Sequence, residues 1–471
     1  MKKILLASVV SAAFAVPAAA ADRADVVVIG AGGAGLSAAV TAHDLGKKVI
    51  VLEKMAFVGG NTNRAAGGLN AAETKPQEKA GIKDSIETHF NDTMKGGKYL
   101  NNPDLVHVLT DNARYSVDFI NSLKEGDLTD VGMLAGATNK RAHRPAGGGF
   151  VGANVVKALA TAAKDKGIDV RTNAKAEKLI VKNGQVVGVQ YKDKNGVKTI
   201  DAKAVVLASG GFGANQELLT KINPKLKGFG TTNHPGATGD VLTDLVDIGA
   251  GTRGLDYIQC IPGGVPGEKY PPNLFTHVDR FLFINLNGQR FIKEDARRDV
   301  LRDAMLDQPK AIAWTLVDAD GFEQQKNSKG PENEAALKAG TLYYADTIED
   351  LAKKTGLPAK ELKEAVDTYN KAVDTKKDPF GRAETVLVNK IIKAPFYAGR
   401  VTMKRHHTMG GVIINKDAQV IDRHGNVIPG LYAAGEVTGG IHGTNRVGGN
   451  AMADIFTYGR IAGVNAAKNP A

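Results

Sequence analysis

The sequence holds a single cysteine, Cys260. One thiol excludes an internal disulfide, a cysteine-held iron–sulfur cluster and the CxxCH attachment of a c-type haem. A chain without these groups has no wire of its own for carrying electrons over a distance. Long apolar runs are equally scarce: Ile4–Val16 is the main one, and it is too short to span a bilayer. Lys2 and Lys3 precede it, and Pro17, Ala19 and Ala21 follow, the order of a secretory signal over residues 1–21 cleaved before Asp22. No twin-arginine pair is present, so export of an unfolded chain is expected, with cofactor capture afterwards in the periplasm. No membrane insertion and no metal site are expected. Aromatics make up only 6% of the chain, and no basic run is interleaved with them, which argues against nucleic acid. The net charge of +11 is scattered, a distribution suited to anionic substrates or an acidic redox partner.

Glycine is what the chain has in excess, with 55 residues recurring as pairs and triplets. The stretch Asp25–Gly30 reads as a buried strand and runs into the turn GAGGAG, Gly30–Gly35. A helix, Leu36–Leu45, and a second strand, Lys48–Leu52, follow, ending at Glu53 and Lys54. This is the dinucleotide-binding unit. Gly30 makes the tight turn, and Gly32 lets backbone approach a pyrophosphate beside Gly33 and Ala34. Gly35 lets the helix pack on the strand, and Glu53 accepts from a ribose. A second Gly- and Asn-rich loop follows directly, with Gly60, Asn61 and Thr62 and then Ala66, Gly67 and Gly68. Its backbone amides can wrap a pyrophosphate and a flavin edge, which favours FAD over NAD. Two later buried strands end the same way, one in Ser209, Gly210 and Gly211, the other in Gly435 and Glu436. Ligands lie across the carboxyl ends of such strands in an open α/β sheet. The expected fold class is α/β, with a Rossmann-like FAD-binding domain.

Taken together, GAGGAG, GGNTNRAAGGLNAA (59–72), HHTMGG (406–411) and IPGLYAAGEVTGGIHGTNRVGGNA (428–451) closely resemble the soluble fumarate reductases of the flavocytochrome c type. The haem-less acrylate and methacrylate reductase-like members are the nearest in pattern. The resemblance covers nearly all of the mature chain. It implies a discontinuous FAD-binding domain over 22–255 and 402–471, with Asn450 and Ala451 among its cofactor contacts. It implies an inserted α+β capping domain over 256–401 that closes over the flavin. Relatives that bind flavin covalently have a histidine in the GG-x-x-x region; here it is missing, so FAD is expected to be non-covalent. A separate periplasmic c-type cytochrome is the implied electron donor, in anaerobic respiration.

Reducing an activated alkene requires a hydride at the β-carbon, a held carboxylate to take up developing charge, and a proton at the α-carbon. Arg446 and His407 match the family's carboxylate-binding residues, with His406 the alternative to His407 and His442 assigned a structural part. Arg298 matches the family's proton-donating arginine, carried by the NLNGQRF run (285–291), with Arg297 its rival in register. Ile261 stands where the fumarate enzymes have a histidine. Their Thr-Glu pair and following arginine are not found in Asn273–Arg280, although a shifted register would bring Thr276 and His277 into the pocket. An apolar wall would leave a second carboxylate unpaired, at several kcal/mol. The expected substrate is therefore a 2-enoate with one carboxylate, such as acrylate or methacrylate. Fumarate or urocanate is the alternative; a ketosteroid-type dehydrogenase or a plain electron carrier ranks lower.

Overall fold

The computed structural model describes residues 22–134, 136–275 and 278–468. The expected signal segment, 1–21, lies outside them. A mixed eight-stranded sheet carries the first half of the architecture. Its strands run in the order Gln419–Ile421, Val427–Ala433, Gly196–Leu207, Asp22–Ile29, Val49–Leu52 and Asp169–Arg171. Neighbours from Val427–Ala433 onward are parallel, and Gln419–Ile421 is an antiparallel edge. Two further strands, Lys175–Lys182 and Gln185–Asp193, extend it as an antiparallel ribbon from Gly196–Leu207.

The parallel register explains why glycine motifs far apart in sequence meet. Ile29 pairs with Leu52 and with Leu207, and Ala433 pairs with Leu207. All four strands therefore end at one sheet edge, and Gly30, Glu53, Ser209 and Glu436 leave it together. Val26, Val27 and Val28 are wholly buried, as expected of a parallel strand covered on both faces. The helix expected over 36–45 spans Gly33–Asp44, because the last glycines of the turn are already its first turn.

The C-terminal helix, Asn450–Lys468, packs on Gly33–Asp44 through small residues. A Cβ added at Gly459 would stand 2.6 Å from Ala34 O, and one at Gly463 would stand 2.5 Å from Ala38 O. The glycines thus set the approach of the two helices, and this packing seats the glycine turn on the sheet.

A five-stranded antiparallel sheet forms the second centre. Its spine is the strand Phe396–Thr408. The first half pairs with Ala313–Val317 on one side and Leu342–Ala345 on the other; the second half pairs with Ile258–Gly263. Leu282–Ile284 completes the sheet. The polar stretches expected to be helical are Ile348–Thr355 and Ala359–Thr375. Both pack on this sheet in a core of Leu351, Leu362, Val366, Tyr369 and Phe396. A third core, with Phe212, Cys260, Phe283 and Met403, lies under the strands that approach the first sheet.

Replacing Gly459 with alanine should cost about 2 kcal/mol, because the methyl group meets backbone that cannot step aside. Urea denaturation of Gly459→Ala checks this, and an unchanged midpoint would mean that the helices can separate freely.

Candidate active site

A cavity of about 1250 Å³ runs from the glycine turn to the meeting point of the two sheets. At one end stand Gly30, Gly32, Gly33, Ala34, Glu53 and Lys54. Glu53 accepts from the backbone amides of Ala31 and Met55, at 2.9 and 2.8 Å, which fixes its carboxylate at the wall. Gly60, Asn61, Thr62, Ala66, Gly67 and Gly68 continue the wall, followed by Ser209, Gly210, Glu436 and Ala451.

This end has the shape of a backbone cradle. A Cβ added at Gly60 or Gly210 would meet no atom within 4 Å, and at Gly32 the nearest would be 3.8 Å away. Side chains there would protrude into the cavity rather than into protein. Gly30, at φ +103°, could not take one at all, since its Cβ would lie 2.4 Å from Ala208 O. The amino end of the helix Gly33–Asp44, with no acidic side chain in its first turn, opens onto the same space and favours phosphate. Length, glycine lining and helix dipole all fit FAD.

Four residues proposed as cofactor contacts do not line the cavity. Gly35 packs against Gly30 O, Gly211 against Thr408 and Glu436, and Gly435 against Ala34 and Ile455. Asn450 is fully buried, hydrogen-bonded to Asn70, His89 and Thr93. These hold the cradle from behind. Asn233 and His234 line the wall without having been singled out. Asn61 links both to the glutamate: its amide donates to Asn233 and Glu436, and its oxygen accepts from the His234 backbone. Gly228, Gly230, Gly236 and Gly239 flank that loop in the sequence, a signal that could have found it.

The far end is cationic. Arg298, His406, His407 and Arg446 all face the cavity. His406 and His407 are neighbours on one strand and should point to opposite sides. A bulge prevents this: Gln259 pairs with His407 but Cys260 pairs with Arg405, leaving His406 as the extra residue. Lys404, His406 and His407 therefore share the cavity, while Cys260 joins the core. His406 shares a 2.7 Å hydrogen bond with Thr232 Oγ1. His442 does not line the cavity; it pairs with Asp454 at 3.1 Å and stands edge-on to the His407 ring.

Gln259, which no motif picked out, ties the arginines together. Its amide nitrogen donates to Asn445 Oδ1 and Arg446 O, both at 2.9 Å. Its oxygen is thereby turned toward Arg298 Nη1, at 3.0 Å, and Arg446 Nη2, at 3.2 Å. Neither arginine has a carboxylate partner among the described residues. Two such charges held on one acceptor oxygen repel each other. Burial pushes the Arg298 guanidinium down to about 10. Burial, and then the charge of Arg298, push Arg446 down to about 9. Burial also holds both imidazoles well below the ordinary histidine range, with the arginine charges adding to it. A carboxylate entering here would meet donors already aimed and in need of an anion.

Arg297 turns the other way, pairing with Asp299 at 3.1 Å, its side chain 43% exposed. Ile261 lines the cavity, with Phe275 and Phe281 in the same wall. Lys404 lies directly across the strand pair from Ile261. Thr276 and His277 lie outside the described residues.

Residues 25–452 match the FAD binding domain family. The chain is 43% identical over 458 residues to the fumarate reductase (cytochrome) of Shewanella frigidimarina, covering 95% of this chain and 77% of that protein. It is 37% identical to the NADH:acrylate oxidoreductase of Vibrio harveyi, covering 94% of this chain and 50% of that protein. A solved structure, the open conformation of a flavocytochrome c3 fumarate reductase, matches with a TM-score of 0.83 at 39% identity, over 95% of this chain and 79% of that one. The chain is therefore an FAD-dependent oxidoreductase acting on C=C bonds. It belongs to the family of flavocytochrome c type fumarate reductase flavoproteins.

Because His406 and His407 are held neutral, the unfolded chain takes up protons that the folded one refuses once the pH falls below about 6.5. Stability should drop with acid by up to about 1.4 kcal/mol per pH unit for each imidazole. Denaturation of His407→Gln at several pH values should show a slope shallower by that amount between about pH 6 and 5. Parallel curves would mean that His407 protonates freely in the fold.

Proposed function

We propose that this protein reduces the carbon–carbon double bond of a 2-enoate in the periplasm, using electrons from a separate c-type cytochrome. The observation that carries the reading is the pair of guanidinium groups without a counter-ion around Gln259. Bound FAD, held non-covalently, supplies the hydride for the β-carbon. Arg446 and His407 bind the substrate carboxylate and stabilise the charge that builds there as the hydride arrives. Arg298 gives the proton to the α-carbon. Its burial lowers the cost of releasing that proton, and Gln259 fixes the direction in which Nη1 points. Segment 256–401 acts as the lid that excludes water from the substrate, with 22–255 and 402–471 as its base.

The other end of the substrate meets Ile261, Phe275 and Phe281. An apolar wall penalises a second charge, so acrylate, methacrylate or a larger monocarboxylic enoate is the substrate class we favour. One observation supports a second reading. Lys404, opposite Ile261, is a cation with no carboxylate partner among the described residues, and it offers a place for the second carboxylate of fumarate. The missing haem and cluster ligands support a separate electron donor, which we take to be the cytochrome. Its docking on a basic surface would weaken as salt rises.

Oxidation of reduced viologen by the purified holoprotein, with acrylate, methacrylate, cinnamate and fumarate in turn, tests the class. The monocarboxylates should exceed fumarate in kcat/KM by roughly a hundredfold. Equal rates would replace this reading with the fumarate one, and Lys404→Met would then remove fumarate turnover selectively.

Arg298→Ala should retain FAD and lose turnover by at least about a thousandfold, as removal of a positioned acid does. If most of kcat survived, the proton would come from elsewhere, and the assignment of Arg298 would fall.

A further inference from the structure

Arg298 is the first residue of the helix Arg298–Leu306, and nothing in that helix's own sequence aims it at the cavity. The next residue, Asp299, is held on two sides. Arg297 donates to both oxygens, at 3.1 and 3.3 Å, and Lys98 bonds the second of them more closely, at 2.6 Å. Asp299 is nearly buried, its side chain 6% exposed, whereas that of Lys98 is 43% exposed. Burial by itself would raise the Asp299 carboxyl; Lys98 and Arg297 outweigh it and hold the group below its ordinary value.

Lys98 comes from a distant part of the chain, just after the helix Ile86–Gly96. It sits at φ +57°, and so does Tyr99. Two successive side-chain-bearing residues in the left-handed region are strained, and such strain persists where the surroundings require it. The same turn also grips the other arginine. Gly96 O accepts from the Asn445 side chain at 3.3 Å, and Gly97 O accepts from the Thr444 backbone at 3.2 Å. Asn445 in turn accepts from Gln259, whose oxygen receives Arg298. The contacts close a ring: Lys98, Asp299, Arg298, Gln259, Asn445 and back to Gly96.

We propose that Lys98 is a positioning residue for the reaction: through Asp299 it sets where Arg298 stands relative to the carboxylate bound at Arg446. This rests on the reading of Arg298 as proton donor given above. A half-exposed ion pair adds little to stability, so its worth lies in where it places the helix. The turn Gly96–Lys98 acts as a gauge block: it holds Thr444 and Asn445, next to the arginine that binds, and Asp299, next to the arginine that protonates, and so sets the spacing between the two.

The strain at Lys98 allows a test that separates positioning from folding. Glycine prefers φ +57°, so Lys98→Gly should fold at least as stably as the wild type while lacking the ammonium. In the FAD-loaded protein, kcat with the best enoate should fall at least fivefold, and the solvent deuterium isotope effect on kcat should rise. The affinity for propionate, read from the flavin absorbance, should change less than twofold, because Arg446 is untouched. Amide hydrogen exchange along Arg298–Leu306 should quicken. Lys98→Arg should restore kcat to within twofold of wild type. A Lys98→Gly protein with wild-type kcat, or a loss that arginine does not rescue, overturns the proposal. If the wild type reduces no enoate, the reading of the site fails instead, and exchange alone decides: unchanged protection of Arg298–Leu306 in Lys98→Gly then overturns the role of Lys98.

Discussion

The amide oxygen of Gln259 sits between two guanidinium groups that form no ion pair with any carboxylate among the described residues. Much of the fold is arranged to make that possible. Burying two unpaired cations side by side is unfavourable by several kcal/mol, and the usual remedy, a carboxylate, is withheld. The protein uses a neutral acceptor instead, and orients it by engaging the other half of the same amide with Asn445 and the Arg446 carbonyl. On the proposed reading, a substrate carboxylate would supply the missing charge when it binds. The unfavourable energy of the ligand-free site thus becomes selectivity for an anion. The charge of Glu436 reaches Arg446 from the cofactor side, but its oxygens are already committed to Thr408 and Asn61.

The two arginines reach this point from distant parts of the chain, and the strand Phe396–Thr408 is what brings their settings together. Its first half belongs to the five-stranded sheet, its end to the cavity wall. The bulge at His406 is the local device. Without the extra residue, strict alternation would bury one of the two histidines in the core with Cys260. A break in register therefore places two neutral imidazoles and Lys404 on one surface.

The cofactor half of the molecule was legible in the sequence because its rules are backbone rules. Gly30, Gly32 and Gly35 each answer a steric question, and the parallel strands have the unbroken apolar character of elements covered on both sides. FAD and the α/β fold followed from that, while the family rested on the resemblance of the motifs, chiefly the run from His406 to Ala451. Gln259 was not legible. It lies in a four-residue stretch read for Ile261, and glutamine carries neither charge nor a conformational signature. Lys98 was hidden for a related reason: a lysine after a helix reads as solvated surface, and only its left-handed backbone and its distant partner set it apart. The consecutive histidines both line the cavity, but the bulge that turns both toward it depends on a cross-strand pairing more than a hundred residues away.

These two kinds of legibility follow a division of labour. The cofactor end is built from main-chain amides and missing side chains, so a substitution there either collides with backbone, as a Cβ at Gly30 meets Ala208 O and one at Gly35 meets Gly30 O, or fills the cradle, as at Gly60 and Gly210. The far end of the cavity is built from whole side chains on Ile258–Gly263 and the strand across from it, where Ile261 and Lys404 face each other. Exchanging such side chains alters what the wall accepts without moving the cradle or the arginine pair. One scaffold can therefore keep its hydride and proton geometry while the group opposite the carboxylate varies. The relatives named for fumarate and for acrylate, both matched along more than nine-tenths of this chain, are what that arrangement would produce.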